Sequence, residues 1–399
     1  MKTIEYGGIA IAAAALGLVA AGTAAAGPHA GVHPVPAVAI QVLKAFDNPE
    51  AVIFSADGRW LFVSNSAELG DRSGDFSFGE GEGYISKLEV LPSGRLKMVE
   101  EKLISGITSP LGMGVLPVGT AKFPAGTIFV CSGSALISDS SGQPITDPAR
   151  LRTKLIAFDV DGKVLGEIDT GTGSVFEQIN GSPIVLINAL GFDEDGNLYV
   201  VDTAFGGAQY QPPVEDKGGI WKIPHKSLDA LAGGMAAPTP PSFMAIPGNP
   251  DGVEVSPIDE KIYVNTVGPV AGAPDPAEGG IYALTDVGGT LPAPFDRDLG
   301  ALDGLDFTDG GTMLNTQIKG DVPSSLTVNC PNQPATQLEI EPSGSMTELT
   351  GPADIAIMRL GDGSHLVVVP ELTDRDATPG DDEITVLALP PEFDAACGS

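Results

Sequence analysis

The sequence is poor in several features on which functional classes depend. Aromatic residues make up 6% and charged residues 18% of the 399-residue chain, which holds only three cysteines and four histidines. Basic residues are especially scarce: 21 lysines and arginines stand against 52 acids, the formal net charge is −31, and no basic block occurs. Nucleic acid would be repelled by such a chain, so we exclude nucleic-acid binding. Most of the acids make a well-solvated surface, but the same charge also suits a site that collects cations.

Familiar catalytic motifs are also missing. No G-x-S-x-G nucleophile elbow or phosphate-binding loop occurs, and the GEGEG stretch lacks the strand-to-helix context that a glycine-rich site requires. His29 and His33 lie in a proline-rich leader, His225 follows a strand pattern, and His365 follows a GDGS turn. None of them is placed to act as a base, so a histidine-dependent mechanism is not expected.

Turn-forming residues are abundant, with 52 glycines and 34 prolines between short apolar runs. This pattern predicts an all-β chain with many hairpins. No helix-period segment is long enough for a second domain, and KSLDALAGGMA predicts one short helix.

The first 26 residues predict a signal peptide. Lys2 precedes the apolar run GGIAIAAAALGLVAAGTAAA, and three alanines before Gly27 fit the small-residue cleavage rule. An uncleaved anchor is the alternative, but alanine and glycine insert weakly into a membrane. We therefore expect a single mature domain over residues 27–399, in the periplasm or outside the cell. It should have a small-molecule partner and no membrane attachment after cleavage.

An apolar strand, a tight polar turn and a second apolar strand recur six times. The copies are NPEAVIFSADGRWLFVSN, SPLGMGVLPVGTAKFPAGTIFVCSG, NALGFDEDGNLYVVDT, NPDGVEVSPIDEKIYVNT, LDGLDFTDGGTMLNTQ and GPADIAIMRLGDGSHLVVVPE. Their alignment puts six residues at equivalent positions by the first strand: Glu50, Ser109, Asn188, Asp251, Asp303 and Asp354. Such internal repetition indicates a repeat fold.

Further strand patterns between the copies complete each unit. They are GYISKLEVL, KLIAFDVDGKVLGEI, GGIWKIP, GGIYALT, SLTV with QLEIE, and EITVLAL. Six four-stranded sheets in sequence predict a six-bladed β-propeller. The leading strand VAIQVLKAF is expected to pair with EITVLAL in the last blade, which closes the ring and removes an exposed edge.

This topology brings distant residues together. The first strand of every blade starts on the same face, beside the central axis, so Glu50, Asn188, Asp251 and Asp303 can converge there. The loops joining second and third strands open on that face and are long, whereas the opposite face carries short turns such as SADGR and DEDGN. Long loops on one face mark it as the functional side.

At these positions the sequence resembles the gluconolactonase, regucalcin and lactonase family of six-bladed propellers, and more distantly diisopropyl-fluorophosphatase and paraoxonase. Glu50 in PEAVIF matches the glutamate that opens the family's first inner strand, Asn188 in NALGFDEDG its asparagine, and Asp303 in LDGLDF its D-G-apolar aspartate. Asp251 in NPDGVEVS stands where the family has an asparagine, and Asn249 is an alternative two residues away.

The resemblance implies that Glu50, Asn188, Asp251 and Asp303 hold one divalent metal, most simply calcium. Carboxylate and amide oxygens suit Ca²⁺ better than Mg²⁺ or Mn²⁺, and the set lacks the Cys or His of a typical zinc site. Three carboxylates should bind a dication more tightly than two, but leave it a weaker Lewis acid.

The resemblance further implies a metal-dependent hydrolase of a lactone or related ester. The metal would polarise the carbonyl, and Asp303 would orient or deprotonate a water molecule. Candidate pocket residues on the long loops are Phe78, Glu80, Glu82, Phe205 and Tyr210.

Two other functions remain open on the sequence. One is a non-catalytic propeller that binds a ligand or protein on the long-loop face, with a structural calcium or none. The other is a metal-free relative of the strictosidine-synthase-like group. The fold alone does not choose between them, because propellers host many functions.

The cysteines belong to an oxidising compartment if the chain is exported. Cys131 lies in the apolar run TIFVCSGS, Cys330 in a loop of the fifth blade, and Cys397 in the tail leaving the sixth. We predict a disulfide between Cys330 and Cys397, with Cys131 as a buried thiol.

Overall fold

A computed structural model describes residues 31–67, 78–133, 136–268, 279–318, 325–331, 333–342, 349, 351–372 and 382–397. The predicted signal peptide therefore lies outside the described residues. Helices in the described part are short: α1 (Val175–Asn180), α2 (Leu228–Ala232) and a few 3₁₀ turns. None of these helices is long and apolar enough to span a bilayer.

Six antiparallel sheets follow one another along the chain, which confirms the predicted six-bladed propeller. A lone strand, β1 (Ala37–Phe46), comes first. The blades, each given from its inner strand outward, then comprise β2 (Pro49–Phe54), β3 (Trp60–Asn65), β5 (Gly83–Val90) and β6 (Leu96–Ile107); β7 (Pro110–Val115), β8 (Ile128–Ser132), β10 (Lys154–Phe158) and β11 (Val164–Asp169); β12 (Ile187–Phe192), β13 (Leu198–Asp202), β14 (Gly219–Ile223) and β15 (Ser242–Ala245); β16 (Pro250–Val255), β17 (Ile262–Thr266) and β18 (Ile281–Leu284); β19 (Ala301–Phe307), β20 (Met313–Ile318), β21 (Ser325–Asn329) and β22 (Thr336–Gln337); and β24 (Ala356–Arg359), β25 (His365–Glu371) and β26 (Asp382–Leu389). Between the long loops of the first two blades, β4 (Phe78–Gly79) pairs in parallel with β9 (Ile137–Ser138).

The N-terminal strand closes the ring as predicted. Strand β1 pairs antiparallel with β26 from Val38 opposite Ala388 to Phe46 opposite Asp382. A further short strand, β23 (Ile340–Glu341), adds in parallel to the outer side of β1. The QLEIE segment, expected to serve the fifth blade, is thus shared: Gln337 pairs with β21 of that blade and Ile340 with β1 of the sixth.

The fourth blade departs from the predicted four strands. Its sheet has three strands within the described residues, and the place of a fourth is taken by an isolated bridge between Ile281 and Asp296. The segment before Asp296 is rich in glycine and proline (GGTLPAPFD), and proline cannot donate to a ladder.

The hydrophobic core lies between the blades, because both faces of each sheet are covered. In β3, Leu61 and Val63 pack with the sixth blade, while Phe62 between them packs with the second blade. All three side chains are fully buried. This two-sided burial explains why the second strands read as continuous apolar runs rather than as alternating patterns.

The cysteine prediction is confirmed. Cys330 and Cys397 form a disulfide with a Cα–Cα distance of 5.2 Å, and Cys131 is a buried free thiol in β8. The disulfide ties the C-terminal tail to the fifth blade.

Candidate functional site

The six inner strands β2, β7, β12, β16, β19 and β24 neighbour one another in a closed ring. Because all of them run in the same direction, their first residues share one end of the central channel. Glu50, Asn188, Asp251 and Asp303 each lie in the first half of their strand, and Asp354 directly precedes β24.

The structure brings the four sequence-predicted residues together. The Asn188 side-chain amide donates to Oδ1 of Asp251, and Asp251 is close enough to Asp303 and Glu50 to be repelled by both. Asp251, and not the alternative Asn249, makes the contact with Asn188. Asn249 occupies the left-handed turn before β16, with φ of 56°.

A β-bulge recurs where each of the first five inner strands begins. The pairing register shifts by one residue between Pro49 and Ala51 in β2, and equivalent shifts occur in β7, β12, β16 and β19. A bulge places an extra residue on one strand and re-aims the side chains around it. The bulges thus occur at the residues that gather at the axis.

The backbone amides at these bulges are bonded by side chains of the second strand. Ala51 N donates to Ser64 Oγ at 2.9 Å, Gly252 N to Asn265 Oδ1 at 2.7 Å, and Gly304 N to Thr316 Oγ1 at 2.8 Å. A buried amide without such a partner would cost about 1–3 kcal/mol. The polar pairs that end these second strands (SN, NT and NT) are therefore part of the site's support.

Glycine after the anchor lets neighbouring blades approach each other closely. A Cβ on Gly252 would lie 2.6 Å from the carbonyl oxygen of Asp303, and one on Gly304 would lie 2.5 Å from Cα of Asp354. Each Asp-Gly pair therefore presents its own aspartate and leaves room for the backbone of the next blade's aspartate.

The carboxyl groups at the channel mouth are forced to share a confined space. Burial, and then repulsion by Asp303, Glu50 and Asp354, raises the pKa of Asp251 well above its usual value. Burial, and then the charge of Asp354, raises the pKa of Asp303 to about 8. Burial raises the pKa of Asp354 to about 7, although backbone amides of Ile355 and Val52 oppose the shift.

A second row of acids lies further along the same strands. Burial, and then the charge of Asp306, raises the pKa of Glu254 well above its usual value, and burial raises that of Asp306 to about 7. Both side chains line a cavity of about 370 Å³ together with Asp354. They stand three residues after Asp251 and Asp303, a spacing that would alternate faces in a regular strand but not across a bulge.

The donor set at the channel mouth fits a hard divalent cation. Its ligand atoms are carboxylate and amide oxygens, which calcium prefers. Among the described residues, no lysine or arginine makes an ion pair with Asp251, Asp303 or Asp354. Without a cation, such crowded carboxylates must retain protons.

The predicted pocket residues take varied positions on the loops. Phe78 and Tyr210 are buried in hydrophobic clusters beneath the loops, and Phe205 packs against one of them. Glu80 and Glu82 are exposed, and Glu80 makes a 2.6 Å ion pair with Arg150 of the second blade's loop. Their role in a pocket stays a prediction.

Sequence reasoning did not include three acids in the site. Asp354 was aligned as an anchor but was not placed among the ligands, because the family signature stops at the fifth blade. Glu254 and Asp306 were not singled out at all. Their signal is the repeated D-G-x-acid pattern, DGVE in the fourth blade and DGLD in the fifth.

The fold and the channel define this protein as a six-bladed β-propeller whose axis is lined with acids. No protein-family model matches the sequence, and no curated protein matches it significantly. Solved structures do match, and they include gluconolactonase-like propellers, as the strand openings predicted.

Three solved structures illustrate the likeness. A gluconolactonase from Xanthomonas campestris is 14% identical with a TM-score of 0.50, covering 92% of this chain and 98% of its own. A PQQ-bound aldose sugar dehydrogenase from Streptomyces coelicolor is 14% identical with a TM-score of 0.50, covering 90% and 99%. A luciferin-regenerating enzyme is 11% identical with a TM-score of 0.48, covering 87% and 94%. At such identity the likeness shows the fold alone, and the neighbours carry different chemistries.

Proposed function

We propose that this protein is an exported, metal-dependent hydrolase of a lactone or related ester, with its active site at the channel mouth. The observation that carries the proposal is the meeting of Glu50, Asn188, Asp251 and Asp303 at the start of four different inner strands. A structural role for one Asp-Gly turn would not require four oxygen donors from separate blades to gather at the axis.

Each residue has a distinct part in the proposed site. A divalent cation, most simply calcium, would polarise the lactone carbonyl, stabilise the developing oxyanion and keep the surrounding acids ionised. Asp303 orients a water molecule and takes its proton on a carboxylate oxygen. Asn188 holds Asp251 in place through its amide, and Glu50 completes the ligand set from the first blade.

The charge of the protein favours this direction of reaction. A lactone is neutral and is not repelled by a chain of net charge −31. Its hydrolysis product is a hydroxy acid, which is an anion at neutral pH. Repulsion from the acids of the channel then favours product release.

The first prediction tests the reaction. Asp303→Asn should lower hydrolysis of any lactone or ester that the wild type cleaves by at least about a hundredfold, because a general base typically contributes that much. Calcium binding, measured by calorimetry, should decrease far less. Ser109→Ala, at the equivalent position of the second blade, is the matched control and should keep activity.

Two outcomes would reject the proposal at different points. Full activity in Asp303→Asn would remove the hydrolytic role from that residue. A wild type that binds calcium but cleaves no member of a panel of lactones, esters and phosphoesters would favour the non-catalytic binding propeller.

The second prediction tests the metal. Glu50→Gln should weaken calcium binding and lower the melting temperature in calcium. In chelator its melting temperature should equal or exceed that of the wild type, because one repelling charge has gone. An equal loss of stability with and without calcium would mean that Glu50 is only structural.

A further inference from the structure

A second group of potential metal ligands lies far from the channel acids in sequence and joins three parts of the chain. His33 precedes β1, Cys330 follows β21 of the fifth blade, and Cys397 ends the 3₁₀ turn Asp394–Cys397 of the tail. One ligand atom from each lies within 4.8 Å of the other two, and all three residues are buried. The sulfurs are joined in a disulfide, so reduction is needed to free them as ligands.

The imidazole of His33 is oriented as a ligand would be. Its ring is 2% exposed and stacks against Phe393, with ring centroids 4.3 Å apart. Nδ1 lies 2.9 Å from the carbonyl oxygen of Val35, a contact that is a hydrogen bond only when Nδ1 carries the proton. The competing contact, from the Val35 amide to Nδ1, is longer at 3.3 Å. With the proton on Nδ1, the lone pair lies on Nε2.

That lone pair faces the sulfurs. Nε2 of His33 lies 3.9 Å from Sγ of Cys397. A backbone carbonyl that accepts from Nδ1 while Nε2 faces the metal is the usual support of a metal-bound histidine. In the disulfide state the lone pair meets only a weak sulfur contact, so the orientation is not explained by a strong hydrogen bond at Nε2.

We propose that the reduced protein binds one thiophilic divalent ion, zinc in particular, through Cys330, Cys397 and His33. Tetrahedral zinc with ordinary bond lengths separates a nitrogen and a sulfur ligand by roughly 3.6 Å, and two sulfurs by roughly 3.8 Å. The observed 3.9 Å between His33 and Cys397 is therefore nearly the required spacing. Thr312 Oγ1, 3.3 Å from Cys397 Sγ, can donate to the thiolate from outside the ligand set.

The chemistry of the exchange balances with one named co-reactant. An external dithiol gives two electrons and two protons to the disulfide, which becomes two thiols, while the dithiol becomes a disulfide. Zinc then takes two thiolates and the His33 lone pair, and the two thiol protons pass to solvent.

This site would join the same three segments that the disulfide joins. Zinc would hold the tail on the fifth blade and the N-terminal segment in a reducing environment, and the covalent bond would do so in an oxidising one. The channel acids offer only oxygen donors in their proposed set, so the two sites differ in metal preference.

The experiment uses cobalt(II) as a spectroscopic probe on the full chain, with zinc as competitor. Protein reduced by a phosphine should bind cobalt with an intense sulfur-to-cobalt charge-transfer band, at one equivalent, and zinc should abolish it. Protein left oxidised should show no such band, because cobalt on carboxylates produces none. Cys131→Ala should leave the band unchanged.

Two variants decide the ligand set. The double variant Cys330→Ser/Cys397→Ser should lose the band. His33→Phe, which keeps a ring against Phe393, should weaken cobalt binding at least about tenfold. Absence of the band in reduced wild type overturns the proposal, as does unchanged affinity in His33→Phe. If the reduced chain unfolds and zinc does not refold it, the proposal is also overturned, since zinc binding here must stabilise the fold.

Discussion

At the scale of single residues, the most informative position is Asp251. The resemblance that led to the site has an asparagine there, and this chain has a carboxylate that contacts Asn188 and is repelled by Asp303 and Glu50. Ligand charge sets calcium affinity to a large extent. The extra charge should therefore favour metal retention over Lewis acidity.

The third prediction follows from this substitution. Asp251→Asn should weaken calcium binding by about tenfold, because one anionic ligand becomes an amide. It should also raise the melting temperature in chelator, since it relieves repulsion, and leave or increase the turnover of lactones. Asn249→Ala is the control and should change none of these. Unchanged calcium affinity in Asp251→Asn would show that Asp251 is outside the ligand set.

At the scale of the structural element, the recurring device is the bulged inner strand supported by its neighbour. A second-strand side chain accepts the bulge amide, and in the fourth and fifth blades glycine gives room to the backbone of the next blade. Thr316 does both kinds of work, because it accepts from Gly304 N and donates to the carbonyl oxygen of Ala353 in the sixth blade.

The fourth prediction concerns that close approach. Gly304→Ala should lower the free energy of unfolding by about 1–3 kcal/mol, because its Cβ would overlap the Asp354 backbone and force a shift. Urea denaturation measures the change. The matched control is Gly289→Ala, where a Cβ would meet nothing within 4 Å. Equal stability of the two variants would mean that the blades are not held at this distance.

At the scale of the whole molecule, the closed ring concentrates acids that the unfolded chain keeps apart. Asp303, Asp306 and Asp354 have pKa values raised to about 8, 7 and 7, mainly by burial. The folded metal-free protein therefore keeps protons that the unfolded chain releases above about pH 4. The stability that these acids contribute is complete below that pH and is lost as the pH rises to about 8.

The fifth prediction is the resulting pH profile. In chelator, the melting temperature should be highest near pH 5 and fall steadily toward pH 8. Below about pH 4 it should fall again, because acids such as Asp139, whose pKa hydrogen bonds from Ser141 lower, then lose their charge. Excess calcium should remove most of the decline above pH 6.

The control for that profile separates the channel from the general surface charge. Asp306→Asn should flatten the decline in chelator, whereas Glu100→Gln, which removes an exposed acid from β6, should leave its slope unchanged. If both variants have the same slope, the decline comes from the net charge of the protein and not from the channel.

The sequence by itself determined the architecture and the main members of the site. Six copies of an apolar hairpin, each with an acid, amide or serine at its opening, predict six blades and a common axis, because strand direction is the same in every copy. The leading strand VAIQVLKAF and the cysteines at 330 and 397 also predict how the ring closes. These features depend on local pattern and chain order, which a sequence contains in full.

Tertiary structure alone decided which acids lie along the axis and how they affect one another. Whether Glu254 and Asp306 face the channel depends on a one-residue bulge, and a bulge is a property of the pairing between two strands. The raised pKa values of Asp251 and Asp303 arise from charges contributed by other blades, and the third strand count of the fourth blade from packing at its edge. The orientation of His33 toward Cys397 likewise joins residues 364 positions apart, a relation that only the folded chain can create.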